Sequence, residues 1–350
     1  MRILITGGCG FVGSNLAINL LNIGHEVTCF DNLTRKGSEI LKLRIEKAGA
    51  YFVHGDIRNM EDLNKIANCE IMIECSAEPS VLMGVKGNDA WYMVNNNLSG
   101  ALNCFEWARK NQCGVIFLST SRVYPYNVIG KALYQEENTR FVYNDSLSGI
   151  SANGVSVQCP LGGIRSLYGA TKLAAEYILI EYSNNYHIPS IINRCGVIAG
   201  PWQLGKVDQG VFTFWLANHY FHKELKYIGY EGKGKQVRDL LHIDDLCRLI
   251  VTQVESLSNF KANIFNVGGG VYSSLSLLET TKICENLTKV KLNISPVFEN
   301  RPADLPWYIT DNGNTCQVFQ WTPKKSGQEI LQDIYNWIKQ NKDLVSPIFS

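Results

Sequence analysis

Thr6-Gly7-Gly8-Cys9-Gly10-Phe11-Val12-Gly13 follows directly on the apolar run Arg2-Ile3-Leu4-Ile5 and leads into Leu16, Ala17, Leu20 and Leu21, which have helical spacing. The order is strand, glycine-rich turn, helix. Gly7, Gly10 and Gly13 stand three apart. Glycines let the backbone approach a pyrophosphate, and the helix start at Phe11 and Val12 offers free N–H groups to its charge. A plain strand-to-helix turn would use the same glycines, so a second signal is needed. Asp31 supplies it, at the end of the next strand, eighteen residues after Gly13. A carboxylate there, with Asn32 beside it, accepts the hydroxyls of an adenosine ribose and repels a 2′-phosphate, which favours NAD over NADP. Arg35 and Lys36 pull the other way, since a basic residue can receive that phosphate. Asp56-Ile57 has two readings, one flanking the adenine and one in which Asp56 merely caps a turn.

Outward from this turn, strand and helix alternate. Apolar runs over 27–30, 51–53, 71–75, 115–119 and 190–193 read as strands, and Leu98, Ala101, Leu102 and Phe105 mark a helix over 98–109. The alternation predicts an α/β fold, a Rossmann-type doubly wound parallel sheet with helices on both faces. Past Arg194 it loosens. A helix over 211–221 and strand pieces at 264–270 and 294–298 suggest a smaller mixed α/β substrate lobe. The expected division is a NAD-binding domain over 1–193, with 236–262 returning to it, and a nucleotide-sugar lobe from 194–235 and 263–350. The stretch from Tyr124 to Tyr168 is rich in Asn, Ser, Gly and Tyr and lacks periodicity, which marks a functional segment or lid.

Composition narrows the class. The 350 residues carry a formal charge of +1 and no long basic run, so nucleic acid is not an expected partner. Eleven cysteines, an odd number without a C-x-x-C pair, argue against a disulfide framework or zinc site and fit a reducing cytoplasm. His219 and His222 lack acidic or sulfur partners at ligand spacing, so no metal is expected. No apolar run approaches the ~18 residues that span a bilayer, and the first residues already form a core strand.

The reacting centre is read from Tyr168-Gly169-Ala170-Thr171-Lys172. A tyrosine four residues before a lysine shares its helix face. To act as a base near neutrality, a phenol must ionise about 3 pH units below its ordinary value near 10, a difference of ~4 kcal/mol. One ammonium plus a positive nicotinamide ring in a dry cleft can supply that.

These motifs in this order resemble the extended short-chain dehydrogenase/reductase family, over nearly the whole chain from Thr6 to Pro323. The match comprises Gly7, Gly10 and Gly13, Asp31, Thr120 within Ser119-Thr120-Ser121-Arg122-Val123-Tyr124, Tyr168 with Lys172, and Asn97 opening Asn97-Leu98-Ser99-Gly100. The resemblance implies that Tyr168 is the acid/base and that Lys172 holds the nicotinamide ribose and eases tyrosine ionisation. It also implies that Thr120 bonds the reacting oxygen, that Ser119 faces the cofactor, and that Asn97 serves structure or proton relay. Sugar 4,6-dehydratases of the family follow the threonine with Asp-Glu. Here Ser121-Arg122 stands there, which disfavours loss of water; a net reductase would have to exchange its cofactor and is not excluded by sequence, and a redox-neutral epimerase is the most natural reading.

Distal segments resemble the CDP-tyvelose/CDP-paratose 2-epimerase subgroup, among them Asp208-Gln209-Gly210-Val211 and Lys235-Gln236-Val237-Arg238-Asp239. That likeness implies a CDP-hexose substrate, with Arg238 on the diphosphate. It places Lys206, Gln209 and Gln236 near nucleotide or sugar, and Arg301 with Asp304 on phosphate and ribose. A surface salt bridge is the other reading of Arg301. Ser121, Arg122 and Asn193 are expected along the sugar pocket. The fourth strand departs from the family's His-Leu-Ala-Ala, reading Glu74-Cys75-Ser76-Ala77-Glu78. Two carboxylates beside cofactor phosphates would repel them unless paired, so Glu78 is expected to face the sugar. A UDP-sugar 4-epimerase and a non-catalytic NAD-binding protein are the competing functions. Association as a homodimer or homotetramer is expected through the 98–109 and 168–186 helices.

Overall fold

The computed structural model describes residues 1–83, 89–204 and 210–349. They fall into two compact units. The first comprises residues 1–123, 166–194 and 247–265; the second comprises 124–165, 195–246 and 266–350.

The first unit is built on seven strands: β1 (Arg2–Thr6), β2 (Glu26–Asp31), β3 (Tyr51–His54), β4 (Ile71–Glu74), β5 (Gly114–Thr120), β6 (Ser190–Cys195) and β7 (Lys261–Val267). Their order is β7-β6-β5-β4-β1-β2-β3. Pairing is parallel from β3 through β2, β1 and β4 to β5. The central strands are apolar along their whole length because helices cover both faces: every residue of β4 and β5 is buried, whereas β3, at the edge, is not. On one face Leu4, Phe30, Met72, Val115 and Phe117 pack with Phe105 and Trp107 of helix α3. The Phe105 and Phe117 rings meet edge to face at 5.4 Å.

Four helices matter to the site: α1 (Phe11–Asn22), α2 (Ser38–Ala48), α3 (Gly100–Lys110) and α4 (Leu167–Tyr186). β1 pairs with β2 on one side and β4 on the other, so the chain's direction across the sheet reverses there. In open α/β sheets such a switch point, at the strands' carboxyl ends, is where ligands bind. The turn from β1 into α1 lies at that end.

The second unit has a mixed sheet. Val237–His242 pairs in parallel with Val197–Ala199 and with Trp307–Tyr308, and antiparallel with Ser274–Ser276. Its core gathers Phe212, Trp215, Leu240, Ile330, Ile334 and Trp337.

Three expected boundaries shift. Residues 124–165 group with the second unit because their bonds go there: Phe141 N–H donates to Lys235 O at 3.0 Å, Arg140 pairs with Glu279, and Val155 N–H donates to Ile309 O at 2.8 Å. Residues 237–242 belong to the second sheet, so the return to the first unit starts at Cys247 and not at 236. The run at 264–270, expected in the smaller lobe, begins as the last part of β7 in the large sheet.

Candidate active site

The glycine turn has no room for side chains at its key positions. Gly7 has φ +65°, and a Cβ there would stand 3.0 Å from the Cys75 carbonyl. A Cβ on Gly13 would overlap the Gly7 carbonyl oxygen, which already accepts the Gly10 N–H at 2.9 Å. Helix α1 starts with no side-chain cap and no acidic residue in its first turn. An uncapped, acid-free helix start beside a turn kept to backbone width suits a pyrophosphate. The residues present therefore fit NAD.

Asp31 closes β2 beside this turn. Its Oδ2 accepts the Cys9 N–H at 3.0 Å and its Oδ1 accepts the Leu33 N–H at 2.8 Å. Burial pushes its pKa up, and those two donors pull against the rise. Arg35, on the same loop, is half-buried. Asn32 Nδ2 donates to Asp56 Oδ2 at 3.0 Å, and Arg58 grips both Asp56 oxygens at 2.9 and 2.6 Å. The Arg58 N–H also donates to Asp56 Oδ1, so Asp56 caps its own turn. Arg58 escaped the sequence reading. Ile57 is a core residue packed on Gly100, where a Cβ would lie 2.5 Å from Ile57 Cδ1 and the Ile57 side chain would have to shift.

Helix α4 carries Tyr168 and Lys172. Ser166 caps it, accepting the Gly169 N–H at 3.2 Å. Gly169 rides directly on the Arg122 carbonyl, where any Cβ would overlap. That close approach seats the start of α4 on the 121–123 turn that follows Thr120. Thr120 Oγ1 accepts the Arg122 N–H at 3.1 Å, and Ser121 and Arg122 are half-buried in the turn.

Two buried ion pairs tie α4 to the sheet. Lys172 Nζ lies 3.4 Å from Glu74 Oε2 and 3.5 Å from Ser76 O, above the Phe117 ring at 4.5 Å. One turn on, Glu176 accepts Arg194 of β6 at 2.7 Å and also accepts the Ser119 hydroxyl. Ser119, expected to face the cofactor, gives its hydroxyl to this core carboxylate. Neither Glu176 nor Arg194 was singled out from sequence, although Tyr168, Lys172 and Glu176 recur at every fourth position. The carboxylate pair at 74 and 78 also resolves differently for each member: Glu74 is neutralised by Lys172, whereas Glu78 Oε1 accepts the Ser80 N–H at 3.1 Å.

Asn97 sits in a single π-helical turn, Asn95–Ser99, ahead of α3. Such turns recur at functional sites. Its amide brackets the Glu78 backbone, accepting from N–H at 2.8 Å and donating to the carbonyl at 3.0 Å. Asn193 is fully buried in β6 and exchanges two amide hydrogen bonds with Gln253, at 2.7 and 2.9 Å. That geometry makes Asn193 part of the core and lends no support to a place along the sugar pocket.

The second unit holds the remaining candidates. Arg238 is fixed by Asp304 Oδ1 at 2.7 Å and by the Leu305 and Val237 carbonyls at 2.8 and 2.7 Å. The Asp304 carboxylate thus serves Arg238, while the Asp304 N–H donates to the carbonyl of half-buried Arg301 at 3.3 Å. Gln236 is buried, with its amide donating to Ile228 O at 2.7 Å. Lys206 and Gln209 lie outside the described residues. Among the described residues no helix is long and apolar enough to cross a membrane.

A family model described as NAD dependent epimerase/dehydratase matches residues 3–268. The CDP-paratose 2-epimerase of Salmonella typhi is 32% identical, covering 96% of this chain and 99% of the relative. The UDP-glucuronate 4-epimerase of Thermodesulfobacterium geofontis is 27% identical, over 99% and 98%. Among solved structures, UDP-glucuronic acid 4-epimerase from Bacillus cereus, in complex with UDP-glucuronic acid and NAD, superposes with a TM-score of 0.77 at 26% identity, over 97% of this chain and 99% of that one. A UDP-glucose 4-epimerase from Bifidobacterium longum shares the fold, with a TM-score of 0.79 at 21% identity over 98% and 99%. The family model spans most of the chain and the Salmonella typhi relative matches it nearly end to end, and the chain belongs to the NAD-dependent epimerase/dehydratase family.

Proposed function

We propose that the protein is an NAD-dependent nucleotide-sugar epimerase that inverts C2 of a CDP-hexose. The observation that carries this reading is Tyr168 and Lys172 at the start of α4, seated on the turn after Thr120 with Ser121-Arg122 next in line. The glycine turn and Asp31 would hold NAD, which would supply a hydride acceptor and donor for oxidation and re-reduction of the sugar carbon. Tyr168 removes the hydroxyl proton as the carbon is oxidised and returns it after inversion. The Lys172 ammonium stabilises the phenolate, and the Thr120 hydroxyl holds the reacting oxygen. Ser121 and Arg122 offer no carboxylate pair for eliminating water, which supports a redox-neutral outcome over dehydration.

Asp304 holds Arg238 in place, and a planar guanidinium is suited to bidentate binding of a diphosphate. The CDP-hexose preference draws on the Salmonella typhi relative. Likeness to the Bacillus cereus enzyme favours a second reading, 4-epimerisation of a UDP-sugar. Incubation with CDP- and UDP-hexoses, followed by sugar analysis of the product, separates them: inversion at C2 of the CDP-sugar supports the first, inversion at C4 of the UDP-sugar the second. The enzyme is further read as a homodimer through α3 and α4, where Tyr177 and Tyr186 are exposed. A monomer by light scattering at micromolar concentration would contradict that.

A further inference from the structure

We propose that Glu74 is a positioning residue for the reacting centre: it anchors the Lys172 ammonium at the end of β4 and offsets its charge, so that Tyr168 ionises at a higher pH than Lys172 alone would set. The inference rests on the reading of Tyr168 as the acid/base. Glu74 is completely buried and Lys172 nearly so, with 3.4 Å between Nζ and Oε2. Charges at that range and depth are poorly screened. The surroundings leave no other charged counterpart among the described residues. β1 presents the Thr6 hydroxyl beside Glu74, β5 presents the Phe117 ring, and α3 presents the Cys104 thiol, which burial keeps protonated. From α4 itself comes Tyr168, one turn before Lys172. Lys172 is the largest influence favouring the Glu74 carboxylate, ahead of the Ser76 N–H and the Thr6 hydroxyl. Burial pushes the Glu74 pKa up and the Lys172 ammonium pulls it back.

A phenolate one turn from Lys172 therefore faces a pair whose charges largely cancel. Opposite charge within ~4–6 Å moves an ionisation by about 1–3 pH units, so removing the counter-charge should be visible. The test is a tyrosinate titration followed by ultraviolet difference absorbance on the NAD-loaded enzyme. The same titration of Tyr168→Phe, subtracted from it, isolates Tyr168. In Glu74→Gln the Tyr168 midpoint is expected to fall by about 1 pH unit or more. Should Glu74→Gln not fold, Glu74→Asp, whose carboxylate retreats from Lys172, is expected to give a smaller fall. An unchanged or raised midpoint in a folded variant would overturn the proposal. Because this readout needs no sugar substrate, it stands apart from the epimerase assay: loss of the epimerase reading leaves the titration result intact, and the reverse also holds.

Discussion

Lys172 Nζ and Glu74 Oε2 lie 3.4 Å apart with their side chains 2% and 0% exposed, joining the helix that carries Tyr168 to the strand beside β1. A second pair, Glu176 with Arg194, repeats the device one turn later on β6. Helix α4 is thus fixed to β4 on one side and β6 on the other, with Ser119 of β5 bonded between them. Rigid support of this kind holds an acid/base in productive geometry.

Breaking the second pair should be costly. Glu176→Gln leaves the Arg194 charge buried without a carboxylate, and removal of one partner of a buried pair costs about 3–5 kcal/mol. Replacing both, as Glu176→Leu with Arg194→Met, should cost clearly less. Urea denaturation of the two variants checks this, and a single variant as stable as the wild type would contradict it.

Gly13→Ala places a methyl group against the Gly7 carbonyl. The turn must shift, at about 1–3 kcal/mol of stability. NAD affinity should weaken at least ~10-fold, or ~1.4 kcal/mol. Calorimetric titration of the NAD-free protein measures it, with unchanged affinity as the contrary result.

Much of this was legible in the sequence because backbone constraints leave local marks. Gly7, Gly10 and Gly13 are set by close approach, and the strands of the large sheet are set by continuous burial, so their positions follow from residue type alone. That Tyr168 and Lys172 share one helix was legible for a similar reason, through their spacing. Pairings between distant segments were not. Glu74 reads as an anomaly until Lys172, far along the chain, supplies its counter-charge. Asn193 reads as a pocket residue until Gln253 takes its amide. The 124–165 segment carries no periodicity, so its bonds to Lys235, Glu279 and Ile309 left no trace in the sequence.

Acid stability should report Asp56. Burial raises its pKa, but the hydrogen bonds from Arg58 and Asn32 outweigh burial and hold it at about 2, against an ordinary 3.8. Because the folded value is the lower one, Asp56 contributes stability above about pH 4 that is lost as pH falls towards 2. The stability gap between wild type and Asp56→Asn should be full near pH 6, narrow below about pH 4 and close by about pH 2. Unfolding free energies across that range test it; a gap independent of pH would count against the assignment.

Tyr168→Phe removes the phenol and little else. Turnover should fall by about 10²–10⁴, the usual worth of a general acid/base, while NAD stays bound. Thr120→Ala should lower turnover by about 10² through loss of one hydrogen bond to the reacting oxygen. Assays of both purified variants for NAD content and product formation decide it, and near-normal turnover in Tyr168→Phe would remove the tyrosine from the mechanism.

The central claim, oxidation and re-reduction at a single sugar carbon, is tested most directly by a CDP-hexose bearing deuterium at C2. Turnover in ordinary water, with the product read by mass spectrometry and NMR, should give an inverted C2 that still carries the label. Inversion with the deuterium exchanged for solvent hydrogen would contradict the account.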